Sequence, residues 1–221
     1  MVMIEFPTRD VVAVACAVFR EQGFVKRGDD QALAEGEQPK QFNSSILYNH
    51  FLNDVKVQVC DEDKVLAEVI IDYLRGLSFK AFERGLTEFE TNVLKFVNVE
   101  AVTKDKLGIA ASLPQVYQRK LDADAWTIRE AELAETSEYV GALNRRGNFT
   151  VVIEHVRSIP STFSWLYTCS EGGKNIFKFF STSIAGEVGQ TITLSAYVKG
   201  HEVSKYSGGK ETMVNRVKIS E

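Results

Sequence analysis

The hydrophobic positions of this 221-residue chain follow a helical period in its first part and alternate with period two in its second part. Thr8 is placed to cap a helix that runs to about Gln22 and ends at Gly23. Further on, acidic residues at positions 61–63 precede apolar residues at helical spacing. Because acids are favoured at the start of a helix, this cluster predicts a helix terminus, and the helix is expected to stop at Gly76.

Two more helical segments are predicted in the first part. Thr87 and Glu90 form a capping box ahead of apolar residues at helical spacing. A segment over residues 104–121 is expected to break or restart near Pro114. Residues 29–45 are polar and show no sustained period, which predicts an exposed loop. The first part is therefore expected to be mainly helical, with its apolar stripes in a core.

The second part predicts five short strands separated by glycine turns. The strands lie at residues 148–157, 163–168, 175–181, 190–199 and 212–219. The second and third are rich in aromatic residues, which favour pleated, half-buried surfaces. A long polar arm joins the last two. Five short antiparallel strands over this length predict a five-stranded OB-fold β-barrel, and residues 182–189 are too few for the helix often found between its third and fourth strands.

The charges divide the chain in the same way. Residues 1–136 hold 16 Lys and Arg against 23 Asp and Glu, a balance of -7, whereas residues 137–221 hold 10 against 7, a balance of +3. We therefore expect an α+β chain in two parts: an acidic, mainly α-helical domain over residues 1–136 and an OB-fold domain over residues 137–221. A composition of 44% hydrophobic and 25% charged residues excludes collagen-like, coiled-coil and wholly disordered proteins.

Membrane and secretory signals are absent from the pattern. The longest apolar run, residues 11–19, covers nine positions, whereas a membrane-spanning helix needs about 20. The first ten residues hold Glu5 and Asp10 against Arg9, where a secretory signal begins with a positively charged region. A cytoplasmic location is expected, which is the host cytoplasm if the protein is encoded by a phage.

The common signatures of catalysis and metal binding are also absent. The sequence contains no GxSxG, HExxH or GxGxxG motif. Its histidines, His50, His155 and His201, lie far apart, and its three cysteines form no CxxC pair. Free cysteines are most often buried as small hydrophobic residues. A non-catalytic function without metal or cofactor is therefore expected.

The combination of basic and aromatic residues in the second part is the stronger signal. OB barrels bind single strands across their second and third strands, where bases stack on rings and Lys or Arg follow the phosphates. Trp165 and Tyr167 share one face of the second predicted strand, and Phe177 and Phe179 share one face of the third. One set of rings must fill the barrel, so core and binding roles both stay open. The arm over residues 199–210 is either a binding hairpin or a solvated charged hairpin.

Residues 188–219, VGQTITLSAYVKGHEVSKYSGGKETMVNRVKI, resemble the last hairpin of OB-fold modules encoded by tailed bacteriophages. The preceding EGGKNIFKFF is similar to the glycine turn and aromatic third strand of those modules. The resemblance is limited to the second part of the chain and offers nothing comparable for residues 1–136. It implies single-stranded DNA binding in phage DNA replication or recombination. The positions that match are Lys199, His201, Tyr206, Lys210 and Arg216.

Pattern and resemblance together predict a non-catalytic protein that binds single-stranded DNA through a basic and aromatic groove, with RNA as an alternative strand. The expected contacts are Arg145, Arg146, Trp165, Tyr167, Lys174, Phe177, Lys178, Phe179, Lys199, His201, Lys205, Tyr206, Lys210, Arg216 and Lys218. The alternative function is that of a protein-interaction adaptor, in which the acidic helical domain docks on a replication enzyme or a host factor. Single-strand binders of replication commonly recruit partners through an acidic tail, and here that role is expected of the N-terminal domain.

Overall fold

The computed structural model describes residues 4–28, 38–53 and 55–220, except for the side chains at positions 80–83 and 220. The chain forms two compact units, Met1–Leu121 and Asp122–Glu221, and the division falls within one helix. Sequence patterns place the boundary at residue 136 instead, so residues 122–136 belong with the second unit in the structure. Most of the loop predicted over residues 29–45 lies outside the described residues, and a helix begins within the remainder, at Asn43.

The first unit is built around one buried helix. Its elements are β1 (Glu5–Pro7), α1 (Thr8–Gln22), α2 (Asn43–Leu52), α3 (Asp61–Arg75), α4 (Leu77–Arg84), α5 (Glu88–Val97), β2 (Ala101–Thr103) and the first part of α6 (Leu107–Thr136). Residues 11–18, within the longest apolar run of the sequence, are at most 5% exposed. A helix that is apolar on all sides must be covered on all sides, which explains its central position. Strands β1 and β2 pair antiparallel.

The predicted helix boundaries are largely confirmed. Helix α1 ends at Gln22 and α3 covers Asp61–Arg75, as expected, and Thr87 and Glu90 form both hydrogen bonds of the capping box of α5. The expected cap at Thr8 is wrong, because Thr8 lies inside the helix and its Oγ1 donates a 2.7 Å hydrogen bond to the carbonyl of Val99. No helix in the described part of the chain combines the length and the apolar character needed to cross a bilayer.

Helix α6 continues through Pro114, so the predicted break is wrong. A proline in a helix removes one backbone hydrogen bond and costs about 3 kcal/mol. The residues just before it, Ala110, Ala111 and Leu113, are all buried. Packing of this apolar face offsets the loss, since most helical stability in proteins comes from tertiary packing.

Part of the apolar pattern of α3 lies outside the core. Ile70 and Leu74 are fully buried, as predicted. Val65 and Val69 are 66% and 43% exposed, and Leu66 is 36% exposed. The apolar residues of this helix therefore face two directions, because positions 65, 66 and 69 share a side that is rotated away from positions 70 and 74.

The second unit is a closed barrel of five strands. These are β3 (Arg146–Ile159), β4 (Ser164–Glu171), β5 (Asn175–Ser181), β6 (Thr191–Val203) and β7 (Lys210–Ser220). Around the barrel they follow the order β3-β4-β5-β7-β6, and β6 closes onto β3. All five predicted strands are confirmed. The segment between β5 and β6 contains no helix, also as predicted.

The expectation of an entirely antiparallel barrel is wrong for one pair. Residues 176–178 of β5 pair in parallel with residues 211–213 of β7, and the other four pairs are antiparallel. Strand directions that alternate around a closed ring require an even number of strands. A closed ring of five must therefore contain a parallel neighbour, and here it falls between β5 and β7.

Candidate functional site

The last turns of α6 and the segment after them cover one end of the outer barrel surface. Arg129 forms two hydrogen bonds with the carboxylate of Glu154 on β3, at 3.0 and 2.7 Å. Leu133 is 1% exposed. Ser137 Oγ donates to the carbonyl of Lys210 at 2.6 Å and accepts from the backbone N–H of Ile176 at 2.9 Å. The outward residues at this end of β3, β4 and β5 are thus unavailable to a ligand.

The cover continues partway along the same surface. Trp126 of α6 stacks on His155 of β3, with ring centres 4.6 Å apart and planes 11° apart. Lys178 of β5 lies 2.6 Å from Glu211 and 3.8 Å from Glu130, and only 13% of its side chain is exposed. Two carboxylates thus already surround the ammonium group that was expected to contact a ligand phosphate.

The predicted aromatic contacts divide between the interior and the surface. Tyr167, Phe177 and Phe179 are at most 1% exposed, so their expected role as stacking platforms is wrong. Tyr167 and Phe179 stack on each other inside the barrel, and the Tyr167 hydroxyl accepts from the backbone N–H of Ala185 at 2.9 Å. Trp165 is half-buried and packs against the same core. Residues two positions apart on a strand lie on the same face of the sheet. Because Phe179 points into the barrel, Phe177 does so as well.

Beyond the covered end, one row of outward residues stays open. Arg157, Leu166 and Phe180 are register partners on β3, β4 and β5. Phe180 is 57% exposed, an unusual position for a phenylalanine on a sheet. Arg157 is exposed and makes no ion pair with any described carboxylate. A ring, an apolar side chain and a free cation therefore lie side by side across three strands.

Two grooves flank this row. The first, which we call the helix groove, has a volume of about 430 Å³; it is lined by Trp126, Thr127, Glu130, Ala131, His155, Arg157, Leu166, Thr168, Lys178, Tyr206 and Ser207. The second, the β5–β7 groove, has about 540 Å³; it is lined by Ser164, Phe179, Phe180, Ser181, Thr182, Ser183, Arg216, Val217 and Ile219. Leu166 lines the first groove and its register partner Phe180 lines the second, so the two grooves adjoin at this pair.

The β5–β7 groove leads to a cluster of two arginines around one ring. The guanidinium carbons of Arg146 and Arg216 lie 4.9 and 5.5 Å from the ring centre of Tyr197 on β6. Arg146 also donates to the carbonyl of Ser195 at 3.0 Å and to that of Arg216 at 3.2 Å. No described carboxylate pairs with either arginine. Both cations are thus held in place by neutral groups and keep their charge available.

A β-bulge positions Arg216 in this cluster. The register between β6 and β7 shifts between Ser195 and Tyr197, and Arg216 has a φ of 49°. This left-handed conformation is uncommon for a residue with a side chain. Bulges redirect a side chain and are frequent beside functional sites. The local distortion of the β6–β7 ladder therefore brings the Arg216 side chain to the Tyr197 ring.

The arm between β6 and β7 is partly engaged by its own chain. His201 stacks on Tyr139, with ring centres 4.6 Å apart, and Lys210 lies 2.6 Å from a carboxylate oxygen of Glu138. Both predicted contacts are thus engaged by the segment that follows α6. At the tip of the arm, Tyr206 is 88% exposed and Lys205 is exposed as well. Only the tip therefore fits the predicted binding hairpin.

The remaining predicted contacts are exposed but lie apart. Arg145 directly precedes β3, Lys199 lies on β6, and Lys218 lies opposite Ser195 on the outer surface of β7. Lys174 lies in the turn between β4 and β5, six residues before the open row at Phe180, or about 20 Å along an extended strand. The structure thus brings Arg146 and Arg216 together, whereas Lys174 lines neither groove.

Burial and neighbouring charges set the protonation of two groups beside the helix groove. Burial lowers the pKa of His155, and the neighbouring Arg157 lowers it further. His155 is therefore a neutral ring at pH 7. The hydrogen bonds from Arg129 lower the pKa of Glu154, which keeps that carboxylate charged. Among the described residues, no group of three or more His, Cys, Asp or Glu is arranged to hold a metal ion.

Four residues of this surface are not among the contacts expected from the sequence: Trp126, Arg157, Phe180 and Tyr197. The alternation of β6 already placed Tyr197 outward beside Lys199, and β5 placed Phe180 opposite Phe179. Those two signals were present in the pattern. Trp126 gave no signal, because only the folded chain brings the end of α6 against β3.

Comparison of the chain with protein-family models, with curated proteins and with solved structures found no match. Function must therefore be inferred from the geometry and the charges of the site itself. The open row, its two grooves and the arginine cluster form one surface on the second unit. That surface carries exposed rings and cations without a described carboxylate partner.

Proposed function

We propose that the second unit is an OB-fold domain that binds single-stranded DNA without catalysis. The strand order supports this fold, because β6, β3, β4 and β5 lie side by side as the fourth, first, second and third strands of the barrel. That order defines a Greek key, and OB folds are five-stranded Greek-key barrels. Strand β7 closes the ring between β5 and β6.

The observation that carries the proposal is the exposed ring of Phe180 between cations that lack carboxylate partners. Arg157 lies in the same row, and Arg216 lines the same groove as Phe180. Single strands are bound by stacking bases on aromatic rings while basic residues follow the phosphates. An exposed ring beside cations without carboxylate partners provides both elements of that combination, and a base must be unpaired to stack on the ring.

The proposed path differs from the one expected from sequence. The strand would enter over the helix groove, cross the row at Leu166 and Phe180, follow the β5–β7 groove and reach Arg146 and Arg216. Helix α6 covers the rest of the face where an OB barrel usually binds its ligand. The acidic residues of the chain do not oppose this path, since local patches steer a ligand more than net charge does.

Replacing Phe180 by alanine tests the proposal. Loss of one stacking ring should weaken binding of a labelled single-stranded oligonucleotide by about 1–3 kcal/mol. Phe79, on α4 of the other unit, is 73% exposed against 57% for Phe180, and Phe79→Ala is the matched control because it removes an exposed phenylalanine ring outside the proposed surface. Fluorescence anisotropy with the full chain measures both. Equal affinities of wild type and Phe180→Ala, or a loss only with Phe79→Ala, would contradict the proposed surface.

Matched DNA and RNA oligonucleotides in the same assay decide between the two kinds of strand. Tighter binding of RNA would overturn the choice of DNA while leaving the surface intact. The proposed role in phage replication or recombination is supported only by the resemblance of residues 188–219 to phage modules.

The adaptor function is the second candidate, and the exposed side of α3 favours it. Val65, Leu66 and Val69 form an apolar patch beside Glu62 on this acidic unit. The burial of exposed apolar surface drives most protein association. A Val65→Ser, Val69→Ser variant should lose a partner that wild type retains after nuclease treatment. Retention of the partner by the variant would exclude this patch as the docking surface.

A further inference from the structure

The helix groove contains groups suited to the edge of a base as well as to its face. Trp126, Glu130 and Ala131 form its wall on α6, and His155, Thr168 and Lys178 form its floor on the barrel. Tyr206 and Ser207, at the tip of the β6–β7 arm, complete it. Every lining residue belongs to the second unit, so the groove is a feature of that unit alone.

The walls of the groove offer flat surfaces. The rings of Trp126 and His155 are stacked and nearly parallel, and together they form a rigid aromatic element. His155 is neutral, because burial lowers its pKa. The Tyr206 ring is exposed on the arm. Aromatic rings accept any base by stacking, so they provide affinity without selecting among bases.

The charges of the groove leave Glu130 without a close cationic partner. Lys178 is closely paired with Glu211 at 2.6 Å, whereas Glu130 is 3.8 Å away. Arg157 also lines the groove, so the two positive charges of Arg157 and Lys178 balance the two negative charges of Glu130 and Glu211. The Glu130 carboxylate still repels a negatively charged group placed directly beside it. A hydrogen-bond donor that carries no negative charge is therefore the favoured occupant next to Glu130.

Two polar groups of the groove have unused hydrogen-bonding capacity. Glu130, with only 17% of its side chain exposed, makes no hydrogen bond with any described residue. Ser207 Oγ is buried and has no hydrogen-bond partner among the described residues. A buried polar group without a partner costs about 1–3 kcal/mol. A ligand that donates to Glu130 and bonds to Ser207 removes that cost.

We propose that the helix groove holds one base of the bound strand and selects a base with an exocyclic amino group. This proposal rests on the proposed function of the same surface. A carboxylate accepts a hydrogen bond from the amino group of cytosine. Thymine has no amino group, and its one ring N–H lies between two carbonyl oxygens that repel a carboxylate. Glu130 thus acts as the reading group, with Ser207 bonding to the ring edge beside it.

Binding of oligo-dC and oligo-dT of equal length to the full chain tests the selection. Both are pyrimidine strands, so stacking area is similar and the amino group is the main difference. Wild type should bind oligo-dC about fivefold more tightly, the low end of the discrimination that one base contact provides. In Glu130→Gln the preference should fall to about twofold or less, because an amide presents both a donor and an acceptor.

Glu132→Gln is the matched control, since Glu132 lies on the same helix and 61% of its side chain is exposed. It should keep the wild-type preference. Ser207→Ala is the second variant and should reduce the preference for oligo-dC without changing the charge of the groove. Equal binding of the two oligonucleotides by wild type, or a preference unchanged in both Glu130→Gln and Ser207→Ala, would overturn base selection. Failure of wild type to bind either oligonucleotide would instead overturn the proposed function.

Discussion

Replacing Arg146 and Arg216 together by alanine should make binding of a single strand less sensitive to salt. Both guanidinium groups lie within 5.5 Å of the Tyr197 ring and have no described carboxylate partner. Each is therefore free to neutralise one phosphate. A contact to one phosphate of a single strand contributes about 0.7 to the slope of log affinity against log salt. Loss of two contacts should lower the slope by about 1.4.

This change in slope is large enough to measure. Between about 50 and 200 mM salt, the double variant should lose about sevenfold less affinity than wild type loses over the same range. Fluorescence anisotropy with one labelled oligonucleotide at several salt concentrations gives both slopes. Lys174→Ala is the control, because it removes a cation of the same barrel that lies about 20 Å from Phe180 along the strand. It should leave the slope unchanged.

Two results would refute the role of the cluster. One is a full wild-type slope in the double variant, which would place the phosphates elsewhere. The other is a fall in slope with Lys174→Ala equal to that of the double variant, which would indicate general attraction to the barrel. Because Arg146 also bonds to the carbonyls of Ser195 and Arg216, thermal unfolding of the double variant must show that the barrel remains folded.

Two further predictions concern stability. Arg216 has a φ of 49°, and a residue with a side chain in this left-handed conformation costs about 1 kcal/mol or more relative to glycine. The Arg216→Gly variant should therefore unfold at a higher temperature than Arg216→Ala. The reverse order of unfolding temperatures would exclude backbone strain at this position. Hydrogen bonds from Arg84 and Thr87 lower the pKa of Glu90 from 4.5 to about 2. Because the folded pKa lies below the unfolded one, the contribution of Glu90 is complete above pH 4.5 and is lost as the pH falls toward 2. Between pH 4.5 and 2, the free energy of unfolding measured with denaturant should therefore fall less in Glu90→Gln than in wild type. An equal fall in both proteins would contradict the lowered pKa of Glu90.

Local signals in the sequence predicted those elements whose determinants lie close together along the chain. The capping box at Thr87 and Glu90 fixed the start of α5, because its two hydrogen bonds join residues three positions apart. The glycine turn at Gly172–Gly173 likewise fixed the hairpin of β4 and β5. In the same way, strand alternation alone places Tyr197 and Phe180 on the outer surface, although it does not identify them as contacts.

Other features depend on contacts between residues far apart in sequence, which no local pattern encodes. Alternation shows that Phe177 and Phe179 share a face, but the closure of the barrel decides that this face is the interior. The parallel pairing of β5 with β7 follows from closing a ring of five strands. Pro114 stays within α6 because buried neighbours compensate for it.

The sequence by itself determined that this chain has a helical part and a five-stranded part, since hydrophobic periodicity is a property of consecutive residues. Only the tertiary structure decided which rings and cations remain available. Helix α6 covers Lys178 and brings Trp126 onto His155, and a bulge brings Arg216 beside Tyr197. Exposure and pairing depend on which surfaces meet when the chain folds, and that is set by the packing of the whole unit.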